Sequence, residues 1–481
     1  MLPPNYLKQV EKKAINIYGN LELEIIQEIA ERIVNVGYAN TVVKNDVMIA
    51  QQMGVLYNDI VKIAAKESGK SFDEIRSIFE DAGATTIKND DKIYKMAGLD
   101  PIAIKQDKSM MDFLLATVRK TDSNLENLVM TTATSSQESF FNVMNQAYME
   151  ISTGVKSYSQ AIIDAVDSVA QKGASVIYPS GHKTSVENAV RMNIVTGVNQ
   201  TCGKLQQMRA EELGWDLMEI DAHANARPSH AEWQGKVVSL SGKAGYLSLE
   251  DIEYGEITGF KGINCYHDWR PYYEGSARTY TDQELEDLKN ESVVYNGNKM
   301  SKYDATQIQR QLERQIRQDK KELAGLQGIL TSTTNDNKLL EDTRTEFARR
   351  TLYYNSHKKE LNSLVQQILT KNDNTRLYIG KQEKVIGTQI GVVTKIANKY
   401  NNSGIIGMNV NGVKIQEIGE HIISRTYGKK VSFEDVEDTL KNPVGYGKIR
   451  TDNSQQIKGA HCTVVLNTKT GKLITVYPKN N

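Results

Sequence analysis

A chain of 481 residues exceeds what one compact core accommodates and points to two to four domains. Hydrophobic residues make up 39% and charged residues 25%, and the formal net charge is zero, so global electrostatic steering toward DNA or an anionic membrane is excluded and any nucleic-acid contact must come from a local patch. No window approaches the apolar run of a membrane helix, and the opening MLPPNYLKQVEKKA lacks the apolar core and cleavage site of an export signal. Three widely spaced cysteines, Cys202, Cys265 and Cys462, give no disulfide framework and fit synthesis in a reducing cytoplasm.

Residues 1–172 read as helical. Leu21, Ile25, Ile26, Ile29 and Ile33 recur at three- and four-residue spacing, and Leu56, Ile60 and Ile63 continue the pattern. In SFDEIRSIFEDAG, Ser71 stands three residues before Glu74, the arrangement of a capping box at a helix start. Further stripes are Phe113, Leu114 and Val118, then Ala161, Ile162, Ala165, Val166 and Val169, all of the kind that forms core or subunit interface. This half carries no P-loop, dinucleotide fingerprint or H-E-x-x-H motif.

Residues 173–280 form a mixed α+β centre. A helix over residues 185–211 feeds a strand at Trp215 to Ile220, and Val237 and Val238 start another. Between Ile220 and Tyr273 lie three of the seven histidines, two of the three tryptophans and one cysteine. His223, His230, Cys265 and His267 are residue types that hold zinc, although the spacing is not that of a standard finger and no C-x-x-C is present. Three readings are open: a structural zinc, a reaction centre, and a metal-free cluster of packed, hydrogen-bonded side chains. The last is the plainest, because several buried polar groups are stable together only if each finds a partner.

Residues 281–371 predict a long helical hairpin. Ile308, Leu312, Ile316, Leu323, Leu326 and Leu330 form one stripe, Thr331 to Asn337 supplies turn chemistry, and Leu339, Leu340, Phe347, Leu361, Leu364, Val365 and Ile368 resume it. Arg310, Arg314, Arg317, Lys320 and Lys321 share a face of the first helix, either a solvated surface or a contact for DNA or an acidic partner. Residues 372–412 mix glycine and asparagine with short β-branched runs and read as a linker that includes a few strands.

Residues 413–481 predict a small α+β domain. One helix places His421 and Arg425 four apart on one face, and a second is capped by Ser432 and stopped before Pro443. Antiparallel strands follow, with Thr468 to Gly471 as a hairpin loop. From Lys448 onward there are six basic residues and one acid, the outline of an anion-binding surface. A metal-independent ribonuclease needs a base for the ribose 2′-hydroxyl, an acid for the leaving oxygen and cations for the phosphorane. His421 and His461 are the acid and base candidates. Arg425, Lys448 and Arg450 supply charge, and Ser454, Thr475 or Tyr477 could hydrogen-bond a phosphate.

Three blocks in order carry a resemblance. AHANARPSHAEWQGKV with GEITGF and GINCYHDWRPYYEG, preceded by GHKTSVENAVRMNIVTGVNQ and followed by KYDATQIQRQLERQIRQDKKEL, resemble the phage minor capsid protein 2 family, relatives of the head morphogenesis protein F of phage Mu. The resemblance covers residues 1–370, with Tyr266 standing where the family usually carries arginine. It implies a virion component made in the bacterial host, associated with portal and capsid proteins inside the head, where packaged DNA is the nucleic acid that the basic face with Arg310, Arg314 and Arg317 could meet if it is not simply solvated. EHIISR, LKNPVGYGKIR and GKLITVYP resemble polymorphic toxin type 50 and phage-associated nuclease domains of the barnase, EndoU, colicin and RelE-like fold, which implies an RNase acting on host RNA. The expected architecture is multidomain and mainly α, with a central mixed α+β region, a helical hairpin and a small C-terminal α+β domain with an antiparallel sheet. No cofactor beyond the structural zinc weighed above, and no membrane, is expected. The alternative function is a polymorphic toxin whose N-terminal part is a delivery scaffold.

Overall fold

The computed structural model describes residues 1–2, 6–18, 21–37, 42–68, 71–172, 174–178, 180–370, 374–377 and 383–479. Six helices open the chain: α1 (Tyr6–Tyr18), α2 (Leu21–Val36), α3 (Val42–Ser68), α4 (Ser71–Met96), α5 (Lys108–Ser152) and α6 (Tyr158–Lys172). The apolar stripes read from the sequence face inward: Ile25, Ile26, Ile29 and Ile33 of α2 and Ala161, Ile162, Val166 and Val169 of α6 are all buried in one core. α4 starts at Ser71, where the capping box predicts a helix start. Asp107 caps the 45-residue α5 by accepting the amide of Met110 at 3.0 Å.

A small hairpin of β1 (Ser175–Ile177) and β2 (Lys183–Ser185) leads into α7 (Val186–Glu212), capped by Ser185. This helix is buried on most of its circumference, including the polar Asn199, Gln206 and Arg209. Beyond it, β3 (Leu217–Ile220) is the centre of an antiparallel sheet between β4 (Val237–Ser239) and β5 (Trp269–Pro271). Met218, Ile220, Trp233, Val238, Ile252, Phe260, Cys265 and Trp269 form the separate core of this central unit.

The next stretch differs at first from a plain helical hairpin. A short helix, α8 (Asp282–Lys289), and a strand pair, β6 (Ser292–Tyr295) and β7 (Asn298–Ser301), precede it. The pair turns on Asn296 and Gly297, both at positive φ, the dipeptide that a tight hairpin turn requires. Then α9 (Lys302–Thr331) and α10 (Asn337–Gln367) form the antiparallel pair, joined over the predicted turn. α9 lies against α2 and α6, and this decides the fate of its basic stripe. Arg317 is 5% exposed and 3.2 Å from Glu187. Lys320 is 4% exposed and paired with Glu383, and Lys321 is 7% exposed with Glu22 at 2.6 Å. The stripe is therefore neither a solvated face nor a DNA contact at Arg317, Lys320 and Lys321; it is internal glue whose acids come from distant helices. Arg314 is exposed and Arg310 half-buried.

Where composition predicts a linker with strands, α11 (Asn374–Leu377) and α12 (Glu383–Asn402) are helical; the short strand pair β8 (Asn409–Val410) and β9 (Val413–Lys414) comes only after α12. Ala397 and Tyr400 of α12 enter the C-terminal core, so that core begins well before residue 413. The remainder follows the sequence reading: α13 (Glu420–Gly428) and α14 (Phe433–Lys441, capped by Ser432) pack on a five-stranded sheet. β10 (Glu417–Ile418), β14 (Lys472–Pro478), β13 (Cys462–Asn467), β12 (Ser454–Lys458) and β11 (Gly445–Tyr446) lie in that order, antiparallel except for the β10 and β14 pair. The fold is thus mainly α with a mixed centre and a C-terminal α+β unit. Among the described residues no helix is long and apolar enough to cross a membrane.

The buried Glu22 and Lys321 pair yields a test. Glu22→Ala leaves the ammonium buried without its counter-charge and should cost about 3–5 kcal/mol, whereas Glu22→Met with Lys321→Met should cost clearly less. Chemical denaturation followed by circular dichroism measures both, and equal losses would contradict the assignment.

Candidate functional site

Two places bear on function: the imidazole cluster of the central unit and the helix-on-sheet surface at the C-terminus. At the first, α7 acts as a ruler. The Asn199 side-chain amide donates to the carbonyl oxygens of Cys265 (2.8 Å) and His267 (3.4 Å). Gln200 donates to the Lys261 carbonyl (3.1 Å), and Gln206 to the Trp269 carbonyl (2.8 Å) and to Asp90 (2.7 Å). Three amides on one helix thus hold residues 261–269 along its length.

The ammonium of Lys261 lies under this segment, 2.8 Å from Asn199 Oδ1 and 2.5 Å from Asp268 Oδ1, with Lys261 and Asp268 0% and 3% exposed. Asp268 also accepts the amides of Leu2 (2.5 Å) and Trp269 (2.9 Å). Burial by itself would raise the Asp268 carboxyl, but the Lys261 charge, the N-terminal ammonium and the Leu2 amide hold it below the usual range. Its own amide donates to Asp221 Oδ1 at 2.9 Å, and burial together with the Asp268 charge pushes Asp221 up to about 7.

Lys261 and Asn264 both adopt positive φ, and two glycines allow the chain to fold this closely. A Cβ at Gly259 would stand 2.0 Å from the Glu253 carbonyl oxygen, and one at Gly262 would stand 2.1 Å from that of Glu256. These are the glycines of the GFKG turn. The turn delivers Cys265 and His267 next to His230, which sits at the end of a 3-10 turn at Pro228–His230.

His230 Nδ1 is 3.3 Å from His267 Nδ1, and Cys265 Sγ is 3.7 Å from the same His267 atom. His230 Nε2 lies 2.7 Å from the Thr258 carbonyl oxygen and His267 Nε2 3.2 Å from Gln234 Oε1. Trp233 packs edge-on against His267, with ring centres 4.8 Å apart. Burial drives the His267 imidazole well below its ordinary range, with the neighbouring His223 and His230 adding to the effect, and burial likewise lowers His230. His223 goes to about 4, again chiefly through burial. Burial thus disfavours the charged form of all three rings.

His230, Cys265 and His267, three of the four residues weighed from the sequence, therefore converge. His223 does not face the same point: its ring stacks on that of His267, centres 4.2 Å apart, and its Nε2 is buried without a hydrogen-bond partner among the described residues. Sequence reasoning missed Asn199, Gln206, Gln234, Lys261 and Asp268. The available signal was the density of amide residues along α7, a helix otherwise apolar enough to be interior.

The C-terminal candidates are dispersed. β14 runs from Lys472, beside Glu417, to Pro478, beside Cys462. His421 follows the first end through β10, and the backbone of His461 pairs with Lys479 just past the second. Seven strand residues span about 20 Å, so the two imidazoles lie toward opposite ends of the strand and cannot flank one phosphate as an acid and base pair. Lys448 and Arg450 are exposed between β11 and β12, at the other side of the sheet from β10. Ser454 and Thr475 are 3% and 5% exposed, their hydroxyls buried without partners among the described residues, which removes them as phosphate ligands from solution. Tyr477 is exposed, with the Lys429 ammonium 5.4 Å from its ring centre. Of the predicted catalytic set only His421 and Arg425 meet, Arg425 Nε lying 3.4 Å from His421 Nε2. Arg425 is also 3.6 Å from Glu341 of α10. Partial burial and then the Arg425 charge lower the His421 imidazole.

Both the helical body and the central unit are shared with known phage proteins. The family described as Phage minor capsid protein 2 matches residues 2–352, from the first turn of the chain into α10. A "Structural protein" of Lactococcus phage LL-H is 24% identical over 284 residues, covering 55% of this chain and 73% of the phage protein. No solved structure matches the chain. The chain belongs to the phage minor capsid protein 2 family, a class of phage structural protein.

The Lys261 and Asp268 pair predicts the stability of the central unit. Lys261→Met strands a buried carboxylate and should cost about 3–5 kcal/mol. Trp233 and Trp269 fluorescence reports this unfolding, and an unchanged denaturation midpoint would show that the pair is not what holds the unit.

Proposed function

We propose that this chain is a portal-associated component of the phage head interior, in which residues 1–367 are the assembly part and the C-terminal α+β unit is an attached module. The supporting observation is where the family match stops. Residues 2–352 cover the helical body and central unit, while the C-terminal core, from Ala397 to Val476, lies wholly outside the match. α10 joins the two, packing on α9 on one side and on α13 on the other. Mass spectrometry of purified particles after chemical cross-linking should find the chain at low copy number, with cross-links to the portal protein. Particles lacking the chain, or cross-links confined to the outer shell, would refute this.

The second reading concerns the attached module: it acts on RNA. What supports it is the neighbouring His421 and Arg425 on a unit with its own core and an excess of basic residues after Lys448. Arg425 turns from His421 Nε2 to the phosphate, the freed neutral imidazole takes the proton of the 2′-hydroxyl as it attacks phosphorus, and water protonates the departing 5′-oxygen, while His461 has no part in the same step. RNA incubated with the purified full-length protein should be cleaved without added metal, and His421→Ala should lower the rate by about 100-fold or more. Intact RNA with the wild-type protein, or an unchanged rate in the variant, removes the reading.

A further inference from the structure

The imidazole cluster has a proton pattern that its hydrogen bonds dictate. The Thr258 carbonyl oxygen can only accept, so the neutral ring of His230 carries its proton on Nε2. Gln234 Oε1 also accepts the backbone amide of His223 at 3.1 Å, which identifies it as the oxygen and makes His267 Nε2 the donor. Both rings then bear bare lone pairs at Nδ1, and those two atoms face each other at 3.3 Å. Two facing lone pairs repel, and in the absence of a metal the Cys265 thiol relieves the one on His267 by donating its S–H to Nδ1 at 3.7 Å, which leaves His230 Nδ1 uncompensated. Three donors aimed at one place, each ring braced from behind by an acceptor, is the arrangement by which proteins orient metal-ligating histidines.

Two of the three separations have the right size. Zinc bonds of about 2.0–2.1 Å to nitrogen and 2.3 Å to sulfur, set at the tetrahedral angle, place two nitrogens about 3.3 Å apart and a nitrogen and a sulfur about 3.6 Å apart. The observed separations are 3.3 Å and 3.7 Å, and the three ligand atoms all lie within 4.8 Å of one another. All three residues are buried, at 2% exposure or less.

We propose that His230 Nδ1, Cys265 Sγ and His267 Nδ1 bind a divalent transition metal of borderline softness, zinc in the first instance, with the fourth position taken by solvent. Binding releases the Cys265 thiol proton to solvent and leaves both rings neutral. The ion joins the loop carrying His230 to the turn carrying Cys265 and His267, adding to the hydrogen bonds that already link them, His267 to Gln234 and Arg227 to the Ile263 carbonyl. Gln234 is a positioning residue: it holds the His267 proton on Nε2 and so keeps Nδ1 free.

The test uses tag-free full-length protein. Elemental analysis of the purified chain should find about one zinc per molecule, the occupancy a three-ligand site with tight binding implies. Exchange for cobalt should produce tetrahedral ligand-field bands and a thiolate-to-cobalt charge-transfer band. Cys265→Ser should abolish the charge-transfer band, and Gln234→Ala should weaken zinc binding by about 10–100-fold in chelator competition. Wild-type protein that takes up neither zinc nor cobalt stoichiometrically overturns the proposal, and this measurement stands even if a variant fails to fold. A charge-transfer band that survives Cys265→Ser also overturns it.

Discussion

Two charges taken out of water hold the centre of this protein. The Lys261 ammonium and the Asp268 carboxylate sit within hydrogen-bonding distance of each other beneath α7, and such a pair is tolerable only when every remaining donor and acceptor is matched. Here most are: Asn199 takes a second ammonium proton, the Phe260 ring centre lies 5.3 Å from the nitrogen, and the amides of Leu2 and Trp269 donate to the carboxylate. The chain cannot slide past this point without stranding a charge, so the register of residues 261–269 against α7 is fixed. The convergence of His230, Cys265 and His267 is a consequence, since two of the three ride on that segment.

The same device recurs at larger scale in the helical body. Arg317 with Glu187 and Lys321 with Glu22 bring acids and bases from α2, α7 and α9 into its interior, and at its half-buried margin Arg350 of α10 meets Asp167, Glu322 and Glu346. Apolar packing is directionless, whereas an ion pair out of water is satisfied in one arrangement only. A long bundle whose helices present similar aliphatic stripes gains its relative alignment from these pairs. Gly325 and Gly328 of α9 add close contact, a Cβ at either lying 2.9 Å from Val166 or Ala30.

The C-terminal unit is tied to this body through α10. Its charged end meets Glu341, which contacts both Arg425 and Lys429, and Tyr400 of α12 bonds Thr426 inside its core at 2.7 Å. α12 therefore serves two masters, contacting the hairpin with one end and the C-terminal core with the other. Its glycines and β-branched residues lower its intrinsic helix preference, which is why composition reads it as a linker while tertiary packing makes it helical.

By itself the sequence determined many of the elements and their order: the apolar stripes of α2, α6, α9 and α10, the cap at Ser432, the turn between α9 and α10, and the strands around Thr468 to Gly471. Each rests on residues within a few positions of one another, so periodicity and cap chemistry suffice. It also marked the span containing His230, Cys265 and His267, because composition is local too. Only the tertiary structure decided which charges are interior, that Lys321 meets Glu22 rather than solvent, that His223 stacks behind the cluster instead of facing into it, and that His421 and His461 sit apart along β14. Those outcomes depend on contacts between residues tens to hundreds of positions apart, and no local pattern encodes which distant partner a side chain will meet.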